Sequence, residues 1–135
     1  MTIAADTPAT DAASSMQVTA SDPSINMPSY LTLQIQTLMP IEIGSNIEIT
    51  IPVDFTIENG ALESVTTLGS SLDSDPTWTY DDATRTISVT AANIRTISSL
   101  GFMTFVVGPV INPGQSNPTE SFTYLISDPL GAPIE

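Results

Sequence analysis

The chain contains no histidine, no cysteine and no lysine, and its only basic side chains are Arg85 and Arg95. Each absence removes a class of chemistry. Without histidine there is no Ser-His-Asp triad and no imidazole general base near neutral pH. Without histidine or cysteine there is no ordinary zinc, haem or iron–sulfur site. Without lysine there is no Schiff base and no phosphate-loop lysine. Lysine-dependent isopeptide cross-links are excluded as well. Zero cysteine also rules out a disulfide scaffold, and with it the usual indication of redox compartment. The remaining repertoire of Thr, Ser, Ile, Val and carboxylates reads as a structural or binding module, not an enzyme, and no catalytic residue is assigned.

A length of 135 residues predicts one domain. A hydrophobic share of 41% is enough for a core, so the chain as a whole is not expected to be disordered. The net charge is −13 although only 13% of residues are charged, because nearly every charge has the same sign. Such a surface repels nucleic acid and anionic membranes and attracts divalent cations or basic partners; it also favours solubility. No apolar run is long enough for a membrane-spanning helix. The first residues, Met1-Thr2-Ile3-Ala4-Ala5-Asp6, have neither the basic nor the apolar region of a signal peptide.

Residues 1–15 are mostly Ala, Thr, Ser, Asp and Pro and read as a linker or tail, leaving 16–135 as the folded domain. Eleven prolines punctuate the chain, which argues against long helices. Between them apolar residues alternate. Leu31, Leu33 and Ile35 share one face, opposite Thr32, Gln34 and Gln36. Ile47, Ile49, Ile51, Val53, Phe55 and Ile57 alternate with polar residues and Pro52. A strand has a side-chain period of two, so each run predicts one apolar face. Pro52 suggests an edge position or a bulge. Strands are expected near 16–20, 30–37, 46–57, 62–67, 77–80, 85–90, 100–107 and 121–127. The seventh is expected to be central and covered on both faces, and Ala91 to Ser98 to hold one helical turn. Asn59-Gly60 marks a tight turn. If Asp81-Asp82-Ala83-Thr84 is a hairpin loop, Tyr80 pairs with Arg85 in a cation–aromatic contact, and Trp78 pairs with Ile87. Seven to eight short strands with frequent turns indicate an all-β, immunoglobulin-like, two-sheet antiparallel sandwich.

The last third carries a further pattern: Gly101-Phe102-Met103-Thr104-Phe105-Val106-Val107, then Val110-Ile111-Asn112-Pro113, Ser116-Asn117-Pro118-Thr119, Ser121-Phe122-Thr123-Tyr124, Asp128-Pro129-Leu130-Gly131 and Ile134. Earlier comes Pro40-Ile41, then Gly44-Ser45-Asn46 leading into Ile47 through Pro52. Over residues 28–135 this resembles the β-sandwich modules repeated along very large cell-surface and extracellular proteins of ciliates and similar protists. The resemblance implies a non-enzymatic extracellular role in tandem modules, stalks or surface filaments. The chain departs from it in lacking the cysteine that many such modules carry.

Candidate sites are few. Asp73, Asp75, Asp81 and Asp82 lie within ten residues and could hold Ca2+, though without EF-hand spacing; a solvated acidic turn is the commoner explanation. Apart from that Ca2+, no cofactor is implied. Trp78 and Tyr80 could stack on a glycan, but two inward residues of one strand are commoner still. Asn112 and Asn117 both fail the N-glycosylation pattern. Met16, Val18 and Ala20 alternate after the tail and could act as an assembly strand that completes a neighbouring subunit's sheet, although pairing within the chain's own sandwich is more usual. The sequence therefore points first to a structural surface or filament module whose partners are copies of itself or neighbouring modules. The alternative is a carbohydrate- or protein-binding adhesion module, with Ca2+ assisting.

Overall fold

A computed structural model describes residues 7–8, 15–114 and 119–134. The expected linker at 1–15 lies almost wholly outside the described residues. The described chain forms nine strands: β1 (Thr7–Pro8), β2 (Ser15–Ala20), β3 (Pro28–Gln36), β4 (Asn46–Thr50), β5 (Ser64–Leu68), β6 (Thr77–Asp81), β7 (Thr86–Thr90), β8 (Phe102–Ile111) and β9 (Thr123–Ser127). They make a five-stranded sheet in the order β1-β9-β4-β7-β6 and a four-stranded sheet in the order β2-β3-β8-β5. Every pairing is antiparallel except the short parallel one between β1 and β9. The fold is the expected all-β, two-sheet sandwich.

The period-two pattern builds the core directly. Leu31, Leu33 and Ile35 of β3 face Ile47, Ile49, Ile87, Val89 and Ile126 of the other sheet, and all are sealed from solvent. Phe55 and Phe122 close one end of this layer with ring centroids 5.5 Å apart. Burial of large aliphatic side chains at about 1.5–3 kcal/mol each is the principal stabilising term.

Four expectations change. The strand expected over 46–57 stops at Thr50. Pro52 has no N–H to extend the ladder, and the chain turns at Val53 and Asp54. It then bridges from Thr56 to Ile111 of the opposite sheet. Val53 is thrown outward at 68% exposure, whereas Ile51, Phe55 and Ile57 remain buried because the crossing arm still lies over the core.

The β6–β7 hairpin pairs Tyr80 with Ile87 and Trp78 with Val89, two residues beyond the expected register. A shift of two keeps both aromatics on the inner face. Its cause is Arg85, which sits at φ 56° and cannot continue the strand. Its guanidinium donates to the carbonyls of Ile51, Pro52 and Phe55.

β8 is central, flanked by β3 and β5, but buries one face only; Phe102 is 54% exposed. The segment 91–98 forms no helical turn. It makes two isolated bridges, Asn93 to Leu72 and Ile97 to Ile41, because Ala92, Asn93 and Ile97 are drawn into the core layer.

A bulge sits where β3 meets β8, between the pairs Ser29–Val110 and Leu31–Val107. Gly108 occupies it at φ 146°, and a Cβ there would stand 3.0 Å from the Ser29 carbonyl oxygen and 3.3 Å from the Tyr30 Cα. Both neighbours are backbone and cannot swing aside. Gly108→Ala is therefore expected to cost about 2–3 kcal/mol, from backbone strain and overpacking together. Urea denaturation checks this: a shift in midpoint with unchanged slope is the expected result.

Candidate functional site

The four aspartates singled out from the sequence do not converge. Asp73 and Asp75 lie before β6, Asp81 is its last residue and Asp82 follows it. Five strand residues at about 3.3 Å each keep the pairs apart. Three of the carboxylates are engaged locally. Asp73 accepts the Asp75 N–H at 3.0 Å, Asp81 accepts the Ala83 N–H at 2.9 Å and Asp82 accepts the Tyr80 hydroxyl at 3.0 Å. Among the described residues no group of three or more acidic side chains is placed to hold a metal ion.

Met16, Val18 and Ala20 pair with Ile35, Leu33 and Leu31 of the same chain. Met16 is buried and the other two pack partly on the core, so β2 completes its own sheet. Trp78 and Tyr80 are partly buried and pack against the core. No helix among the described residues is long and apolar enough to cross a membrane.

Sequence reasoning missed the polar side chains that tie the loops. Asn93 is 1% exposed. Its amide donates to the carbonyls of Glu42 at 2.7 Å and Arg95 at 2.9 Å, with a longer contact to Ile41, while its Oδ1 accepts the Ser45 N–H at 3.0 Å. Asn112 does similar work at the opposite end, donating to the carbonyls of Asp22 at 2.5 Å and Ser24 at 2.7 Å. Its Oδ1 is buried without a partner, so the two donations carry its role. Asn112 was visible as part of the Ile111-Asn112-Pro113 pattern. Asn93 lay within the segment expected to hold a helical turn.

These ties define two unlike ends. The first is built from 37–45 and 91–101, joined by Thr37–Gly101, Ile41–Ile97 and Gly44–Asn93 backbone bonds. It is apolar: Leu38, Met39, Ile43, Ile94 and Leu100 are 42–61% exposed. The exposed Arg95 stands among them. The second end carries the β2–β3 and β6–β7 turns and the 3-10 turn Glu58–Gly60. A cleft of about 290 Å3 opens there, lined by Pro28, Glu58, Asn59, Ala61, Glu63, Pro109 and Ile111. It has apolar walls and two exposed glutamates.

No protein-family model matches the chain. No curated protein matches it in sequence either. Among solved structures it is similar to a non-cellulosomal cohesin from the hyperthermophilic archaeon Archaeoglobus fulgidus. That likeness has a TM-score of 0.51 at 16% identity and covers 90% of this chain and 83% of that one. A family GH18 chitinase from Chromobacterium violaceum aligns over 92% of this chain but 18% of its own, at 10% identity and a TM-score of 0.34, too loose to carry an argument. The chain therefore has a cohesin-like β-sandwich fold.

Two predictions follow from the polar ties. Asn93→Ala removes the acceptor of the Ser45 N–H and the donor to the Glu42 and Arg95 carbonyls, of which the Ser45 and Glu42 groups keep their bonds to each other, at an expected cost of about 1–2 kcal/mol; hydrogen exchange should show the apolar end opening before the sheets. Burial, reinforced by the Asp82 hydrogen bond, pushes the Tyr80 phenol up to about 12. The folded state thus favours the neutral phenol. The resulting stability is fully present below the ordinary tyrosine value of about 10 and is lost as pH rises toward 12. Tyr80→Phe should flatten the fall in stability across that window, measured by denaturant melts at successive pH values.

Proposed function

We propose that this chain is a non-catalytic protein-interaction module of an extracellular or cell-surface assembly. The observation that carries this reading is the cohesin-like sandwich extending over 90% of the chain. The Archaeoglobus fulgidus neighbour is named as a cohesin, a module type defined by association rather than turnover. Three features of the chain support the same reading. Histidine, cysteine and lysine are missing from the whole sequence. The cleft joins two glutamates to proline and aliphatic walls, without a nucleophile beside a base. The surface is acidic and asks for a basic or apolar partner. The motif resemblance to tandem surface modules supports the extracellular setting.

The test uses the full chain in two assays. Incubation with peptide, ester and glycoside substrates across the pH range should give no turnover; hydrolysis in any of them overturns the reading. Chemical cross-linking on the native cell surface should join the chain to protein. Adducts to polysaccharide alone would overturn the protein-partner reading in favour of a glycan-binding adhesion module.

A further inference from the structure

The two ends of the sandwich complement one another. β3 begins at Pro28, on the cleft, and runs to Gln36, just before Leu38 of the apolar end. β8 runs the other way, from Phe102 beside Leu100 to Ile111 in the cleft. At about 3.3 Å per residue, the nine residues of β3 hold the two ends about 30 Å apart. Of the chain's two cations, Arg85 is committed to the carbonyls of Ile51, Pro52 and Phe55. Arg95 stands exposed at the apolar end, its backbone held by the Arg95 N–H donating to the Ser71 carbonyl and by the Asn93 side-chain amide donating to the Arg95 carbonyl. The acids that share this end are Asp73, which accepts the Asp75 N–H, Asp128, which accepts the Leu130 and Ala132 N–H groups, and Glu42, which stands exposed between Ile41 and Ile43. The cleft end presents Glu58 and Glu63 around Pro28, Pro109 and Ile111. An arginine fits such a cleft in both halves, its alkyl stem along the proline and isoleucine walls and its guanidinium on the carboxylates.

We propose that the Arg95 end of one copy docks into the Glu58/Glu63 cleft of a second copy, head to tail. This rests on the non-catalytic interaction reading and goes further by naming the partner. The exposed Ile43, Ile94 and Leu100 supply the apolar area that the contact covers, and the Arg95–glutamate pairing sets its register. Cleft against cleft sets four glutamates together, whereas head-to-tail docking sets the exposed arginine against two of them. The contact is heterologous, and because its two halves sit at opposite ends it propagates as an open filament.

Sedimentation velocity over a concentration series tests this with three proteins: the wild type, Arg95→Glu, and the double variant Glu58→Arg/Glu63→Arg. All three positions are exposed, so the melts should match the wild type. The wild type should associate with rising concentration. Each charge reversal alone should weaken association about a hundredfold, since like charges facing each other cost several kcal/mol. An equal mixture of the two variants should co-assemble, because every junction is again complementary. Arg95→Gln, which removes the attraction without adding repulsion, should fall between wild type and Arg95→Glu.

A wild type that stays monomeric overturns the proposal. So does association that both reversals leave unchanged, or folded variants that fail to co-assemble when mixed. A monomeric chain that still cross-links to a different protein overturns self-docking alone, whereas substrate turnover overturns the interaction reading beneath it.

Discussion

The sandwich depends on satisfying backbone groups wherever the chain leaves a sheet. Two apolar faces seal together only if the polypeptide passes between them, and each passage strands carbonyls that no ladder partner can reach. An unpaired buried carbonyl costs about 1–3 kcal/mol. Three side chains meet that demand. Arg85 gathers the Ile51, Pro52 and Phe55 carbonyls where β4 crosses to the other sheet. Asn93 gathers Glu42 and Arg95 at the apolar end. Asn112 gathers Asp22 and Ser24 at the cleft end. Without them the core residues would still be apolar, but the loops above them would have no fixed path.

The same three residues shape the surfaces. Asn93 folds 91–98 flat against 37–45, and the side chains that do not fit beneath this layer, Ile43, Ile94 and Leu100, are left outside. Asn112 ties the end of β8 to the β2–β3 turn, next to Pro28 and Ile111 of the cleft. Arg85 is drawn inward, which leaves Arg95 as the exposed cation of a chain with a net charge of −13. The asymmetry between the ends is thus a by-product of how the loops are tied.

Much of the fold was legible because alternation reports directly on which face is buried. Leu31, Leu33 and Ile35, and Ile47 and Ile49, behave as their spacing requires, since a strand offers only two faces. The limit of β4 was less legible. Ile51, Phe55 and Ile57 keep the rhythm of a strand while leaving the sheet, because an arm crossing over a core also buries alternate residues. The hairpin register escaped for a different reason: both registers place Trp78 and Tyr80 inward, and the deciding group, Arg85, is fixed by carbonyls more than thirty positions away. The acidic site failed on length. Asp75 and Asp81 are close in number, yet an extended strand between them is the geometry that separates residues most. The cleft left no trace in the sequence, because its walls come from three separate stretches of chain.

A strongly acidic module meeting its own copy raises an electrostatic objection, and distance answers it. In physiological salt the Debye length is about 8 Å. Strands as long as β3 hold the two ends about 30 Å apart, several screening lengths. Most of the fifteen carboxylates of one copy therefore act weakly on those of the next. What two copies feel at a junction is the few groups within reach, Arg95 and Glu42 on one side and Glu58 with Glu63 on the other. The acidic coat then has a second effect. It opposes every side-by-side contact, in which many carboxylates would come within one screening length, and leaves end-to-end contact as the arrangement with the least repulsion. Net charge in this chain works less against association than in favour of one direction for it.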